Sequence, residues 1–174
     1  MLLDEVQHYL DVVRKRGEAQ SELRRVYKNI CKYKGLFVIA YGNLYANKGA
    51  LTPGVDADDV VDGMSMARIE RTIEKLKNRT YTWKPTRRTY IPKRNGTKRP
   101  LGIPGWEDKL VQEVLKMVLE AYYEPQFSPH SHGFRPRRGC HTALSEIYYT
   151  WKGMKWFVEG DIKGCFDNIN HKKL

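Results

Sequence analysis

An α+β fold is the expectation for this 174-residue chain, and three features carry it. Long stretches place apolar residues three and four apart, the spacing of an amphipathic helix. One pair of short extended runs meets at Asn95-Gly96, a hairpin signal. A hydrophobic content of 41% suffices for one or two modest domains with a buried core. In chain order, Leu3, Val6, Leu10 and Val13, then Leu23, Val26, Tyr27 and Ile30, predict two helices broken near Gly17. Leu36 to Ala46 reads as a short, mostly buried helix, and the segments Asn47-Lys48-Gly49 and Thr52-Pro53-Gly54 mark a loop. Ser65 is placed to cap a helix over Met66 to Asn78 with Ile69, Ile73 and Leu76 facing inward. Arg87 to Lys93 and Lys98 to Ile103 form the hairpin, where both residues of Asn95-Gly96 tolerate positive φ. Trp106 to Tyr123 is the clearest helix: Glu107 and Asp108 suit its positive end, while Leu110, Val111, Val114, Leu115, Val118, Leu119 and Tyr122 form its core face. Pro125 stops it, and a loop runs from Glu124 to Gly139. Thr142 to Trp151 follows as a helix, and Lys155 to Glu159 reads as a strand leading into Gly160-Asp161.

Thirty-one Lys and Arg against 20 Asp and Glu give a formal charge of +11, which favours a polyanionic partner, nucleic acid or an acidic membrane face. No apolar run approaches the roughly 18 residues of a membrane span, since even Leu36 to Tyr45 is cut by Gly42 and Asn43. The acids Asp4, Glu5, Asp11, Glu18 and Glu22 near the start fit neither a secretory signal nor a transit peptide. Cys31, Cys140 and Cys165 are odd in number without close pairing, so a reducing compartment such as the cytoplasm is the default.

Three constellations carry chemistry. Between Lys84 and Arg99 stand seven cations (Lys84, Arg87, Arg88, Lys93, Arg94, Lys98 and Arg99) and no acid. Phosphate is the partner that such a density invites, on a nucleic-acid backbone or a nucleotide; the alternative is charge that keeps a hairpin edge soluble. The basic helix residues Arg24, Arg25, Lys28, Lys32 and Lys34 allow the same two readings. In the loop Ser131-His132-Gly133-Phe134-Arg135-Pro136-Arg137-Arg138-Gly139, guanidinium groups can meet phosphate and Phe134 or Arg135 can stack on a base, unless Phe134 is simply a core anchor. His130, His132, Cys140 and His141 fit no paired zinc spacing. Last, Asp161 follows an apolar run, a place suited to Mg²⁺, and Asp167 lies six residues on, where it could equally cap a helix. Two-metal phosphoryl transfer needs more acids, expected beyond Leu174; the chain stops as a further helix begins, so a fragment is expected.

In order, these motifs are Arg87-Arg88-Thr-Tyr-Ile-Pro-Lys93, Asn95-Gly96, Arg99-Pro-Leu-Gly-Ile-Pro104, Asp108-Lys-Leu-Val-Gln112, Ser131-His-Gly-Phe-Arg-Pro136, Cys140-His-Thr-Ala-Leu144 and Trp156-Phe-Val-Glu-Gly-Asp-Ile-Lys-Gly-Cys-Phe-Asp-Asn-Ile169. Together they resemble the reverse transcriptases, or maturases, encoded in group II introns, in their mitochondrial-like lineage. The resemblance implies the fingers of a right-hand polymerase, helices plus a basic β-hairpin, with the first strand of the palm. Residues 1–35 would be basic N-terminal helices, 36–153 fingers with the N-terminal extension, and 154–174 the start of the palm. It implies that Asp161 is the first catalytic carboxylate and a ligand of two Mg²⁺ ions. Lys93 and Arg99 would hold the incoming triphosphate, the backbone of Ile162, Lys163, Gly164 and Cys165 would lie along it, and Phe166 would gate the sugar. Arg24, Arg25, Lys28, Lys48, Arg87, Arg88, Arg135, Arg137 and Arg138 would bind RNA. Asn170 stands where the family commonly has Asp, outside the metal position. Implied partners are the group II intron RNA, an RNA template with DNA primer, deoxynucleoside triphosphates and, for retrohoming, a DNA target in the bacterial cytoplasm; a half-built palm edge would also favour self-association. The remaining acids belong to a Tyr-Ala-Asp-Asp motif outside these residues, so this chain is expected to bind RNA without polymerising. The alternatives are a splicing maturase without polymerase activity and a reverse transcriptase of another bacterial class.

Overall fold

A computed structural model of the chain describes residues 2–47, 49, 51–165, 168–170 and 172–173, in two compact units, Met1–Phe127 and Ser128–Leu174. In the first unit α1 (Leu2–Glu18) buries Val6 and Val13 of the expected stripe and Tyr9 beside them, while Leu10 is half-buried and Leu3 exposed. Gly17 does not break it. A Cβ there would lie 2.0 Å from the Tyr122 carbonyl oxygen, so Gly17 is the point where α1 meets another helix backbone to backbone. The chain turns after Glu18 instead, with Gln20 and Arg25 at φ 48° and 57°.

Next come α2 (Val26–Lys32) and α3 (Lys34–Tyr45), which bury Ile30 and Cys31, then Leu36, Phe37 and Ala40. After the loop and a 3₁₀ turn at Val61–Gly63, α4 (Met66–Lys77) starts as expected at Ser65, whose hydroxyl accepts from the Arg68 N–H at 3.2 Å. A cap of this kind contributes about 1 kcal/mol. Its Ile69, Ile73 and Leu76 face inward. The centre of the unit is α5 (Trp106–Tyr123), packed on α1 and α3, with Trp106, Leu110, Val111, Val114, Val118 and Ala121 buried. Each large apolar side chain so placed stabilises by roughly 1.5–3 kcal/mol. Leu119 is exposed, against expectation, because nine residues at roughly 100° each carry it to the side of the helix opposite Leu110.

The hairpin pairs β1 (Arg87–Pro92) with β2 (Lys98–Ile103), antiparallel, from Arg87↔Ile103 to Pro92↔Lys98. Its turn falls at Asn95-Gly96, as expected. Only Gly96 takes positive φ (77°); the Lys93 carbonyl accepts from the Gly96 N–H at 3.1 Å, and the Lys93 N–H donates to the Thr97 carbonyl at 2.8 Å. That is a three-residue loop closed by a left-handed glycine, with the Asn95 carboxamide oxygen accepting from the Thr97 N–H at 3.2 Å.

In the second unit α6 (Cys140–Thr150) begins two residues before the expected Thr142 and buries none of its residues. The palm strand expected over Lys155 to Glu159 is not formed: a strand needs a partner, and the sole ladder among the described residues is β1–β2. Trp156, Phe157 and Val158 are exposed instead and, with Ile147, Trp151 and Met154, line an open cavity of about 600 Å³.

Candidate nucleic-acid interface

The hairpin is anchored by buried carboxylates at its base. Asp59, 5% exposed, takes the Arg68 guanidinium on Oδ1, while Oδ2 accepts from the Trp106 N–H at 3.2 Å and faces Lys84 Nζ at 3.5 Å. Asp108 accepts from the Tyr81 hydroxyl at 2.5 Å and the Lys84 N–H at 3.1 Å. Burial and Asp108 push the Tyr81 phenol well above its ordinary range. Glu107 accepts from the Thr72 hydroxyl at 2.8 Å and from Lys75 Nζ at 3.0 Å. Burial alone would raise its carboxyl, but the bonds from Lys75 and Thr72 and the Lys75 charge outweigh it and hold it below the ordinary value. Thus Glu107 and Asp108, expected only to complement the helix dipole, tie α5 to α4 and to the segment that enters β1. The loop before them is strapped to the same base: Lys109 Nζ donates to the Thr52 carbonyl at 2.8 Å, and Arg87 Nε to the Pro53 carbonyl at 3.1 Å. Desolvation, helped by the charge of Arg87, lowers the Lys109 ammonium below its ordinary value.

All seven cations between Lys84 and Arg99 are exposed. Lys84 and Arg87 are engaged as above; Arg88, Lys93, Arg94, Lys98 and Arg99 make no side-chain hydrogen bond or ion pair among the described residues. Arg99 lies opposite Ile91, and strand alternation carries Lys93, two residues further, onto the same face. That pair shares one face of the ribbon.

On the helical side, Arg24 pairs with Glu22 at 2.8 Å, Arg25 turns the chain into α2, and Lys28 is exposed. Lys48 lies outside the described residues. Sequence spacing missed a cluster here. Tyr27, Lys28, Cys31 and Lys32 of α2 meet Lys77, the last residue of α4, and Arg79 just beyond it around a cavity of about 500 Å³. The Tyr27 hydroxyl donates to the Leu76 carbonyl and closes the joint. The shared excess of cations at the ends of two helices was the available signal, but the pairing of those ends is tertiary.

In the second unit two expected RNA ligands turn inward. Arg135 donates to the carbonyls of Ser128 (2.8 Å) and Ser131 (2.9 Å), and Arg138 to those of Pro129 and Ser131. Arg137 and Phe134 are exposed, the latter fully, so Phe134 anchors no core. His132 Nε2–H donates to Glu146 Oε2 at 2.8 Å and Nδ1 pairs with the Thr142 hydroxyl at 2.8 Å; His130 pairs with the other oxygen of Glu146. Further on, Asp161, Ile162, Lys163, Gly164 and Cys165 are exposed, and Asn168 closes their turn by donating to the Lys163 carbonyl at 2.9 Å. Phe166 and Asp167 lie outside the described residues.

Residues 91–174 match the family model described as reverse transcriptase (RNA-dependent DNA polymerase). The chain is 50% identical over 160 residues to the group II intron-encoded protein LtrA of Lactococcus lactis subsp. cremoris, 90% of this chain. The chain belongs to the group II intron-encoded reverse transcriptases. It is also 47% identical, over 95% of its length, to an uncharacterized 91 kDa protein in the cob intron of Schizosaccharomyces pombe, and 42% identical over 67 residues to nuclear intron maturase 1, mitochondrial, of Arabidopsis thaliana. This chain spans about a quarter of the length of LtrA, 26%, and 21% of the yeast protein. The family match begins inside β1 and takes in the hairpin tip, α5 and the whole second unit. Magnesium is the ion its family implies, yet among the described residues no three His, Cys, Asp or Glu side chains converge. Asp161 by itself is too few hard oxygen donors to fit the ion. No helix of the described residues is long and apolar enough to cross a membrane.

Proposed function

We propose that this chain supplies the fingers side and the first catalytic motif of an RNA-directed DNA polymerase that copies intron RNA into DNA for retrohoming. The same basic surface binds the intron RNA and assists its splicing. Residues 1–35 serve as basic RNA-binding helices, 36–153 as fingers and 154–174 as the start of the palm, whose first strand pairs only when the rest of the palm is present. The observation that carries this reading is the acid-free hairpin: five exposed, unpaired cations on a two-stranded ribbon whose base is fixed by buried Asp59 and Asp108. A solubility role would not require so firm a base.

In this reading Lys93 and Arg99 draw the triphosphate of a deoxynucleotide onto one hairpin face, Arg with two parallel N–H donors and Lys as a point charge. Backbone of Ile162 to Cys165 lies along the same phosphates, with Phe166 beside the sugar. Asp161 contributes a carboxylate near the reacting phosphorus. Arg24, Arg25, Lys28, Lys48, Arg87, Arg88 and Arg137 hold RNA through phosphate contacts, so affinity falls as salt rises. Arg135 and Arg138 act mainly by shaping their loop.

The test is primer extension on an RNA template by the polymerase that carries this chain. Arg99→Ala is expected to raise KM for deoxynucleotides at least tenfold, and Asp161→Ala to abolish extension while RNA affinity stays within twofold. RNA binding without any extension by the parent protein would instead favour a splicing maturase without polymerase activity.

A further inference from the structure

Phe134 carries the most unusual combination in the molecule. Its side chain is fully exposed, at 110% of the reference accessibility, and its backbone stands at φ 55°. A left-handed conformation costs a non-glycine residue roughly 1–2 kcal/mol. A ring that removes no apolar surface from water returns nothing against that cost. The loop around it is nevertheless firmly held, by Arg135 and Arg138 on the carbonyls of Ser128, Pro129 and Ser131 and by His132 between Thr142 and Glu146. Arg137, three residues on, repeats the left-handed backbone (φ 58°) and is exposed, with no partner among the described residues. A strained, unburied aromatic on a braced loop, followed by an uncommitted cation, is what a binding contact requires: the strain sits where the ligand meets the chain.

Two occupants suit an exposed ring, an apolar pocket on another protein and a flat π surface. The cation, and the chain's +11 charge, favour the second. We infer that Phe134 is a stacking platform for an unpaired nucleobase, with Arg137 taking a neighbouring phosphate, when a single strand is bound. This rests on the nucleic-acid reading above and adds to it a base contact that charge alone would not supply.

The experiment measures binding of a 20-nucleotide, fluorescein-labelled mixed-sequence RNA to the 174-residue chain, with Phe134→Trp, Phe134→Leu and Phe134→Ala beside the parent. Removing one base–aromatic stack costs about 1–3 kcal/mol, or roughly 5- to 150-fold in Kd. Phe134→Trp is expected to match the parent, and Leu and Ala to lose affinity within that range at unchanged Tm. A fully paired duplex of the same sequence should show no loss, and the single-stranded DNA version the same loss as RNA. Arg137→Ala should reduce the slope of log Kd against log salt by about one phosphate contact. The proposal falls if all three Phe134 variants bind like the parent, if Leu substitutes as well as Trp, or if Ala lowers Tm and Leu restores it, the mark of an apolar anchor or a protein contact. In each of those cases salt-dependent binding by the parent leaves the nucleic-acid reading standing; a parent that binds no RNA overturns both.

Discussion

Glu146 receives a histidine on each carboxylate oxygen, His130 on one and His132 on the other. Those bonds, His130 first and His132 second, hold its carboxyl below the ordinary value. A carboxyl depressed in the folded state contributes stability that is complete above the ordinary carboxylate range and is lost as pH falls through the lowered value. The brace of the 128–139 loop should therefore persist at neutral pH and fail only in acid. A ¹³C titration of the Glu146 carboxyl should have its midpoint below that of glutamate in a short peptide. Glu146→Gln keeps one acceptor oxygen and replaces the other with a donor, so one histidine loses its partner. At pH 7.5, trypsin should then cut after Arg137 or Arg138 several-fold faster than in the parent; an unchanged rate would show that the loop holds without this carboxylate.

Helix α5 meets α1 so closely at Gly17 that even a methyl group collides with backbone, 2.0 Å from the Tyr122 oxygen. Gly17→Ala should destabilise the first unit by about 2–3 kcal/mol in urea, as overpacking does. Gly42, inside α3 with nothing within 4 Å of its Cβ direction, is the internal control. Gly42→Ala should stabilise by about 0.5–1 kcal/mol, since alanine loses less backbone entropy in a helix. Equal effects at both positions would refute the close approach. The same contrast explains what was legible beforehand. Helix periodicity located α1, α2, α4 and α5, an apolar run located α3, and Ser65 marked a start, because those signals are local. Gly17 read as a break because the partner backbone that requires it is 105 residues away. Asp59 went unnoticed as an anchor for the same reason, its partners Arg68, Lys84 and Trp106 being scattered through the sequence. Trp156 to Val158 had the composition of a strand, yet composition does not supply the neighbouring strand that would make one.

Across the whole chain the two units differ in kind. Among the described residues every buried apolar side chain lies between Val6 and Ala121, and none from Ser128 onward is buried. Hydrogen exchange should show it: amides in the middle of α5 should open only with global unfolding of their unit, while those of α6 exchange orders of magnitude faster. Comparable protection in both helices would overturn this view. The hairpin belongs with neither extreme, being regular in its ladder yet solvated on both faces, with only Thr89 and Ile103 half-covered. Substitutions on such a surface usually change stability by less than about 0.5 kcal/mol. The exposed cations of the ribbon are thus almost separable from the residues that fold the domain. Over evolutionary time the ribbon can exchange one arrangement of charges for another, while the helices beneath it register almost none of the drift.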